Sequence, residues 1–282
     1  MERSPKHAFT VDVEDYFQVT AFENTISRSD WSAITPRVER STHIILDMLG
    51  EAGYQGTFFL LGWVGERFPA LVKRIADEGH EVASHGYDHT LLGKFSEKQL
   101  YEDVTRTKGI LEDAGGKAVN GYRAPTFSII NFDGDAHSVL RRAGYSYSSS
   151  VYPVAHDNYG APTAERHPWR HEASGLLEIP MTTLRMFGRN WPASGGGFFR
   201  LYPYPVSRWA WQRFAARESL PGIFYIHPWE VDPEQPRVAA TSWRTRFRHY
   251  LNLAHTRKRL ERLLEDFQWG RMDEVFGVAS HG

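Results

Sequence analysis

The chain has 282 residues, of which 41% are hydrophobic and 24% charged, and its formal net charge is −1. This is the composition of an ordinary globular protein, and its balanced charge does not favour nucleic-acid binding. Cysteine is absent, which excludes disulfides, thiolate nucleophiles and cysteine-ligated zinc. Because we find neither a signal-peptide core nor an apolar run long enough to span a membrane, we expect a cytoplasmic protein.

Strand-like and helix-like segments alternate along the chain. Apolar and β-branched runs predict strands at 8–13, 57–61, 81–84, 119–122, 145–151, 177–180 and 222–226. Helical spacing of apolar residues predicts helices at 37–51, 66–78, 96–114, 135–143 and 206–218. Repeated alternation with short loops favours a largely parallel sheet or a barrel.

Polar residues stand at the ends of four of these predicted strands, namely Asp12, His85, Arg123 and His227. In parallel α/β folds the carboxyl ends of the strands meet on one face, where active sites lie. We therefore expect these side chains to converge on one pocket.

Two histidines, His85 and His89, are four residues apart just after a predicted strand. Gly86 lies between them, so we expect a turn rather than a helix there. A carboxylate from the acidic cluster around Glu14 and Asp15 would complete a three-ligand site for a borderline metal such as zinc. The alternative is a polar loop with two solvated imidazoles.

Two later segments have ambiguous roles. The glycines at 195–197 could cradle a phosphate, but no Walker-type lysine follows, so a flexible loop beside the cleft is favoured. The segment 243–264 predicts one helix with an apolar face and a basic face. It could dock on anionic lipid, a membrane surface or an acidic partner, or it could simply pack by its apolar face. Its basic residues are Arg244, Arg246, Arg248, Arg257, Lys258, Arg259 and Arg262.

Four motifs resemble, in order and spacing, those of polysaccharide deacetylases, the NodB-type superfamily or carbohydrate esterase family four. They are Thr-Val-Asp-Val-Glu-Asp at 10–15, Ser-His-Gly-Tyr-Asp-His at 84–89, Tyr-Arg-Ala-Pro at 122–125 and Tyr-Ile-His at 225–227. The resemblance implies an α/β fold, a distorted (β/α) barrel of the NodB type over residues 1–230. Residues 231–282 would be a basic helical extension packed on the barrel. This segment and the Gly-Gly-Gly-Phe-Phe-Arg run at 195–200 resemble a branch that accompanies exosortase-type exopolysaccharide gene clusters.

The resemblance also implies an activity. It indicates a metal-dependent N-deacetylase that removes acetyl groups from N-acetylated sugars of an exopolysaccharide or its precursor, with a lipid-linked form as one option. The cofactor would be one divalent metal, usually zinc, with nickel or cobalt as alternatives. Two other functions remain open: a non-catalytic carbohydrate-binding barrel, and a metal-assisted amidohydrolase acting on small cyclic amides.

The family's metal ligands correspond to His85 and His89 in this sequence. The third ligand is open, because the usual Thr-Phe-Asp-Asp motif has adjacent aspartates, whereas here Asp12 is followed by valine. A subgroup with an Asp-x-Asp pattern favours Glu14, and a simple shift favours Asp15.

The family's catalytic residues correspond to four positions. Asp12 matches the general base, Arg123 the residue that orients it, and His227 the general acid. The backbone N–H of Thr126 corresponds to the donor that stabilises the oxyanion.

Overall fold

The computed structural model describes residues 5–156, 160–218, 220–239 and 241–278. The strands in this part of the chain are β1 (Lys6–Val13), β2 (Thr57–Leu60), β3 (Glu81–Ser84), β4 (Gly121–Tyr122), β5 (Tyr147–Ser148), β6 (Trp169–Arg170), β7 (Leu177–Glu178), β8 (Thr183–Met186), β9 (Arg189–Pro192), β10 (Ile223–Ile226) and β11 (Gln268–Gly270). The α-helices are α1 (Val38–Ala52), α2 (Gly62–Arg67), α3 (Pro69–Asp77), α4 (Glu97–Gly115), α5 (Ala136–Arg142), α6 (Gly196–Leu201), α7 (Tyr204–Arg217), α8 (Trp243–Tyr250), α9 (Leu253–Asp266) and α10 (Met272–Val275).

One curled sheet forms the centre of the fold, with strand order β10-β1-β2-β3-β4-β5-β7-β6. The pairings along this order are parallel except for the final one, between β7 and β6. Strands β8 and β9 form a separate antiparallel hairpin. The predicted α/β fold with a largely parallel, barrel-like sheet is thus confirmed.

The alternation of side chains along β1 places the site on the inner face of this sheet. Phe9, Val11 and Val13 belong to the largest hydrophobic cluster, which the surrounding helices share. Ala8 belongs to a second cluster with residues of neighbouring strands. Because successive side chains of a strand point to opposite faces, Asp12 shares the face of Ala8 and points into the curl of the sheet.

Two predicted helices are interrupted. The segment 66–78 includes the last two residues of α2 and all of α3, because Phe68 leaves the helical region (φ −126°, ψ 58°) immediately before Pro69. The segment 243–264 contains α8 and α9, separated by Asn252 in a left-handed conformation. Trp243 and Phe247 are 72% and 53% exposed, so the predicted apolar face of this segment is not fully packed.

The segment after residue 230 does more than pack on the barrel. Strand β11 pairs in parallel with the first residues of β1, and Trp269 in β11 is fully buried. None of the helices in the described ranges is both long and apolar enough to cross a membrane.

The glycine run also differs from the predicted flexible loop. Gly195 has a positive φ of 104°, and α6 begins directly after it at Gly196. This helix places Arg200 in the interior of the protein, where it is 1% exposed.

Candidate metal centre and acid–base site

The residues predicted from the strand ends converge in the structure. Asp12 lies at the end of β1, and the Glu14 N–H donates to the Asp12 carbonyl at 3.1 Å in the turn that follows. His85 follows β3, Arg123 follows β4 and His227 follows β10. The parallel order of these strands explains why residues more than 200 positions apart share one site.

Glu14, His85 and His89 form a buried group whose potential metal-binding atoms lie within 4.8 Å of one another. Gly86 (φ 74°) and His89 (φ 59°) both have left-handed conformations, which turn the chain so that the two imidazoles face the same point. His85 Nδ1 lies 2.8 Å from the Arg123 carbonyl. Since a carbonyl only accepts, Nδ1 carries the proton and Nε2 is left to bind a metal.

The chemistry of this group fits one divalent ion. Glu14 Oε2 is buried and lies 2.9 Å from His89 Nε2, yet it has no hydrogen bond of suitable geometry in the described residues. Burial works to raise the pKa of Glu14, but the charge of His89 and other nearby imidazoles lower it to about 2. Burial lowers the pKa of His85 to about 4. An ionised carboxylate and a neutral imidazole, as at Glu14 and His85, are the forms that bind zinc.

Asp15 lies outside this group. Its Oδ2 accepts from the backbone N–H groups of Arg37 and Val38, at 2.6 and 2.8 Å, and its Oδ1 accepts from Tyr16. The carboxylate therefore satisfies the backbone at the start of α1. Of the two acidic candidates, the structure brings Glu14 to the histidines and directs Asp15 to the helix.

Arg123 is fully buried and holds Asp12. Its Nη1 donates to Asp12 Oδ1 at 2.6 Å and to Thr10 Oγ1 at 2.9 Å, while Nε donates to the Ser149 carbonyl at 3.2 Å. The guanidinium also lies 4.0 Å from the centre of the Phe59 ring. These contacts fix the orientation of the Asp12 carboxylate.

His227 is oriented by two contacts with the Glu230 carboxylate. Its Nδ1 and its backbone N–H both lie 3.0 Å from Glu230 Oε2, and its Nε2 lies 3.5 Å from Glu14 Oε1. Burial works to lower the pKa of His227, but the hydrogen bond to Glu230 raises it to about 9. The ring also stacks on Trp229, with centroids 5.2 Å apart.

Glu230 in turn is paired with Arg200, whose Nε donates to Oε1 at 2.7 Å. Burial works to raise the pKa of Glu230, but the Arg200 charge lowers it to about 2. The sequence motifs predict no role for either residue. A signal was present in the spacing of His227 and Glu230, which are three residues apart across a short 3-10 turn.

Thr126 lies at the edge of the group in a strained conformation. Both Thr126 and Phe127 have positive φ values, 51° and 52°, which are rare for β-branched and aromatic residues. The Thr126 hydroxyl lies 2.8 Å from that of Thr20, which lies 3.4 Å from His89 Nδ1. The strained turn thus lies beside the metal-binding histidines.

Comparison with known proteins finds two family models, each of which matches part of the chain. Residues 32–148 match the model of the family described as "Polysaccharide deacetylase", and residues 149–277 match a "Domain of unknown function (DUF3473)". A peptidoglycan-N-acetylglucosamine deacetylase of Bacillus cereus is 41% identical over 86 residues, which are 30% of this chain and 31% of that protein. The chain matches about a third or less of the length of the curated relatives.

Solved structures have the same fold. A Mycobacterium smegmatis protein assigned to the polysaccharide deacetylases superposes with a TM-score of 0.66 at 19% identity, covering 99% of this chain and 91% of that one. A carbohydrate esterase family four pseudoenzyme from Bacillus anthracis gives 0.50 at 15% identity, covering 97% of this chain and 66% of that one.

The fold and the site define a class: a curled (β/α) barrel of the NodB type with a candidate centre of two histidines and a glutamate. Similarity to polysaccharide deacetylases thus covers part of the chain, residues 32–148 in the family model and about a third of the chain in the curated relatives.

Proposed function

We propose that this chain is a metal-dependent N-deacetylase that removes acetyl groups from N-acetylated sugars. One observation carries the proposal: the buried group of Glu14, His85 and His89 lies beside a carboxylate held by an arginine and a histidine held by a glutamate. Arg123 holds the Asp12 carboxylate on one side, and Glu230 holds His227 on the other. An anion and a cation fixed next to one metal-binding group suit a reaction that needs a base and an acid.

The chemistry of amide hydrolysis assigns each residue a task. An amide is a poor electrophile and an amine a poor leaving group, so water must lose a proton and nitrogen must gain one. Asp12, oriented by Arg123, would take the proton from water, and His227 would deliver one to the departing amine. The Thr126 N–H would stabilise the oxyanion, a contribution of about 2.7–4 kcal/mol in comparable sites.

Glu14, His85 and His89 would hold the metal. A bound divalent ion supplies a Lewis acid and lowers the pKa of water. We propose zinc, because two imidazoles and one carboxylate suit that ion, with nickel and cobalt as alternatives.

The substrate we propose is an N-acetylated exopolysaccharide or its precursor, handled in the cytoplasm by a member of the exosortase-associated branch. The names of the relatives, which are peptidoglycan N-acetylglucosamine deacetylases, support an N-acetylated sugar. The Gly-Gly-Gly-Phe-Phe-Arg run at 195–200 supports the branch.

A lipid-linked precursor would place the enzyme at a membrane surface. Exposed Trp243 and Phe247 lie in α8 with Arg244 and Arg246, a combination that suits an anionic bilayer. Co-sedimentation with anionic vesicles, but not with neutral ones, would support this docking. Sedimentation independent of lipid charge would contradict it.

Acetate release tests the activity directly. Purified protein is incubated with N-acetylglucosamine oligomers, with an exopolysaccharide fraction and with a small cyclic amide, before chelation, after chelation and after zinc is restored. We expect acetate from the sugars only when the metal is present. Sugar binding without acetate release would favour the non-catalytic barrel, and turnover of the cyclic amide alone would favour the amidohydrolase.

A further inference from the structure

A second group of potential metal ligands lies at the far edge of the sheet. Asp135 precedes α5, His137 lies in its first turn, and His171 lies in the loop between β6 and β7. Their potential ligand atoms lie within 4.8 Å of one another. Strands β4 and β5 separate this edge from β3, which leads into His85, so the two groups are distinct.

Each imidazole of this group has one nitrogen held by the protein. His171 Nδ1 lies 3.0 Å from Ser174 Oγ, and His137 Nε2 lies 3.1 Å from Glu178 Oε2. Glu178 is itself fully buried, and its Oε1 accepts from the backbone N–H of Ser150 at 2.7 Å. Metal-binding histidines typically have their second nitrogen held in this way, which orients the ring.

The separation of the ligand atoms of Asp135 and His171 also suits a metal. Asp135 Oδ1 lies 3.6 Å from His171 Nε2, which is too long for a hydrogen bond. Two ligands bound about 2.0–2.1 Å from a tetrahedral zinc lie about 3.3 Å apart. The ring centroids of His137 and His171 lie 5.0 Å apart, so the two side chains reach the same region.

Hydrogen bonds from Ser138 orient the Asp135 carboxylate. Its Oδ1 accepts from the Ser138 N–H at 2.9 Å, and the Ser138 hydroxyl donates to its Oδ2.

We propose that Asp135, His137 and His171 bind a second divalent ion of the zinc class, which ties the β6–β7 hairpin to α5. The three side chains are 41%, 13% and 23% exposed, so an ion can reach the site from solvent and keep water as a further ligand. The greater exposure makes this site weaker than the buried one. Its role is structural. Strand β6 is the last strand of the sheet, and the ion would join His171, which directly follows β6, to Asp135 and His137 at the start of α5.

Zinc stoichiometry tests the proposal, by native mass spectrometry and by calorimetric titration with zinc alone. We expect two zinc ions per wild-type chain and one in the double variant His137→Asn/His171→Asn. A His85→Asn/His89→Asn variant should retain one ion, bound at the second site, and zinc should raise its melting temperature. Ser174→Ala should weaken that site by about 10–100-fold.

His167→Asn is the matched control, since His167 is a half-exposed histidine paired with Glu218 instead. It should leave zinc binding unchanged. One zinc ion per wild-type chain, or two ions in the His137→Asn/His171→Asn variant, would overturn the proposal. These readouts do not depend on acetate release, so the second site and the deacetylase activity fail or succeed separately.

Discussion

The backbone of Gly196 lies directly against the carboxylate of Glu230, so close that a Cβ at position 196 would overlap it. Glu230 holds His227 through Nδ1 and is itself held by Arg200 from the same helix, α6. The glycine run therefore allows the start of α6 to approach the residue that positions the proposed acid.

Gly196→Ala should push Glu230 away from His227. We expect acetate release to fall more than about tenfold, and stability to fall by about 1–3 kcal/mol, because the added methyl group has no space. Gly197→Ala is the matched control, since nothing lies within 4 Å of a Cβ at that position. Kinetics and urea unfolding of both variants check this. Equal activity of the two would contradict the positioning role.

Glu230→Gln should remove the charge that favours the protonated form of His227. We expect kcat to fall by about 10²–10⁴-fold, the usual contribution of a general acid. Zinc content should stay at the wild-type value, since Glu230 is outside the metal group. Loss of the buried partner of Arg200 should also cost about 3–5 kcal/mol of unfolding free energy. A fully active Glu230→Gln enzyme would exclude this role for the residue.

Glu14→Gln should affect zinc binding, whereas Asp15→Asn should affect stability. Glu14→Gln should weaken zinc binding, because it replaces the anionic member of the ligand group. Asp15→Asn should keep the zinc but lose about 1–3 kcal/mol of stability, since an amide has one accepting oxygen and cannot serve both the Tyr16 N–H and the N–H groups of Arg37 and Val38. Equilibrium dialysis with zinc and chemical unfolding separate the two. Zinc loss only in Asp15→Asn would reverse the ligand assignment.

His7 should make the protein sensitive to acid. Its Nδ1 accepts from the Gly222 N–H at 3.0 Å, and burial lowers its pKa to about 4. Between pH 6.5 and 4 His7 binds a proton in the unfolded chain but stays neutral in the folded chain. The free energy of unfolding therefore keeps the full contribution of His7 above pH 6.5. It falls on acidification by up to roughly 3 kcal/mol because of this residue.

His7→Asn keeps an acceptor but does not titrate, so its unfolding free energy should fall less steeply between pH 7 and 4. Urea unfolding in the presence of chelator measures the slope, and exposed His255→Asn is the control. Identical slopes for His7→Asn and the wild type would contradict the assignment.

Much of the fold and site could be predicted because the signals are local. Strand ends give the positions of Asp12, His85, Arg123 and His227, and parallel order brings them together. Ser96 and Gln99, three residues apart in the sequence, form the capping box that opens α4.

The rest depends on contacts between distant segments. Glu14 and Asp15 follow the same strand, and only the position of α1 shows which carboxylate serves the helix. Arg200 and Glu230 are 30 residues apart and meet only because α6 replaces the expected loop. The periodicity reveals neither the break at Asn252 nor the exposure of Trp243.

Acetate release by zinc-loaded Asp12→Asn tests the central claim most directly, because Asp12 is the proposed base and lies outside the metal group. The account predicts bound zinc at the wild-type stoichiometry and a loss of about 10²–10⁴-fold in turnover of N-acetylated sugars. Undiminished turnover by the zinc-loaded variant would contradict it.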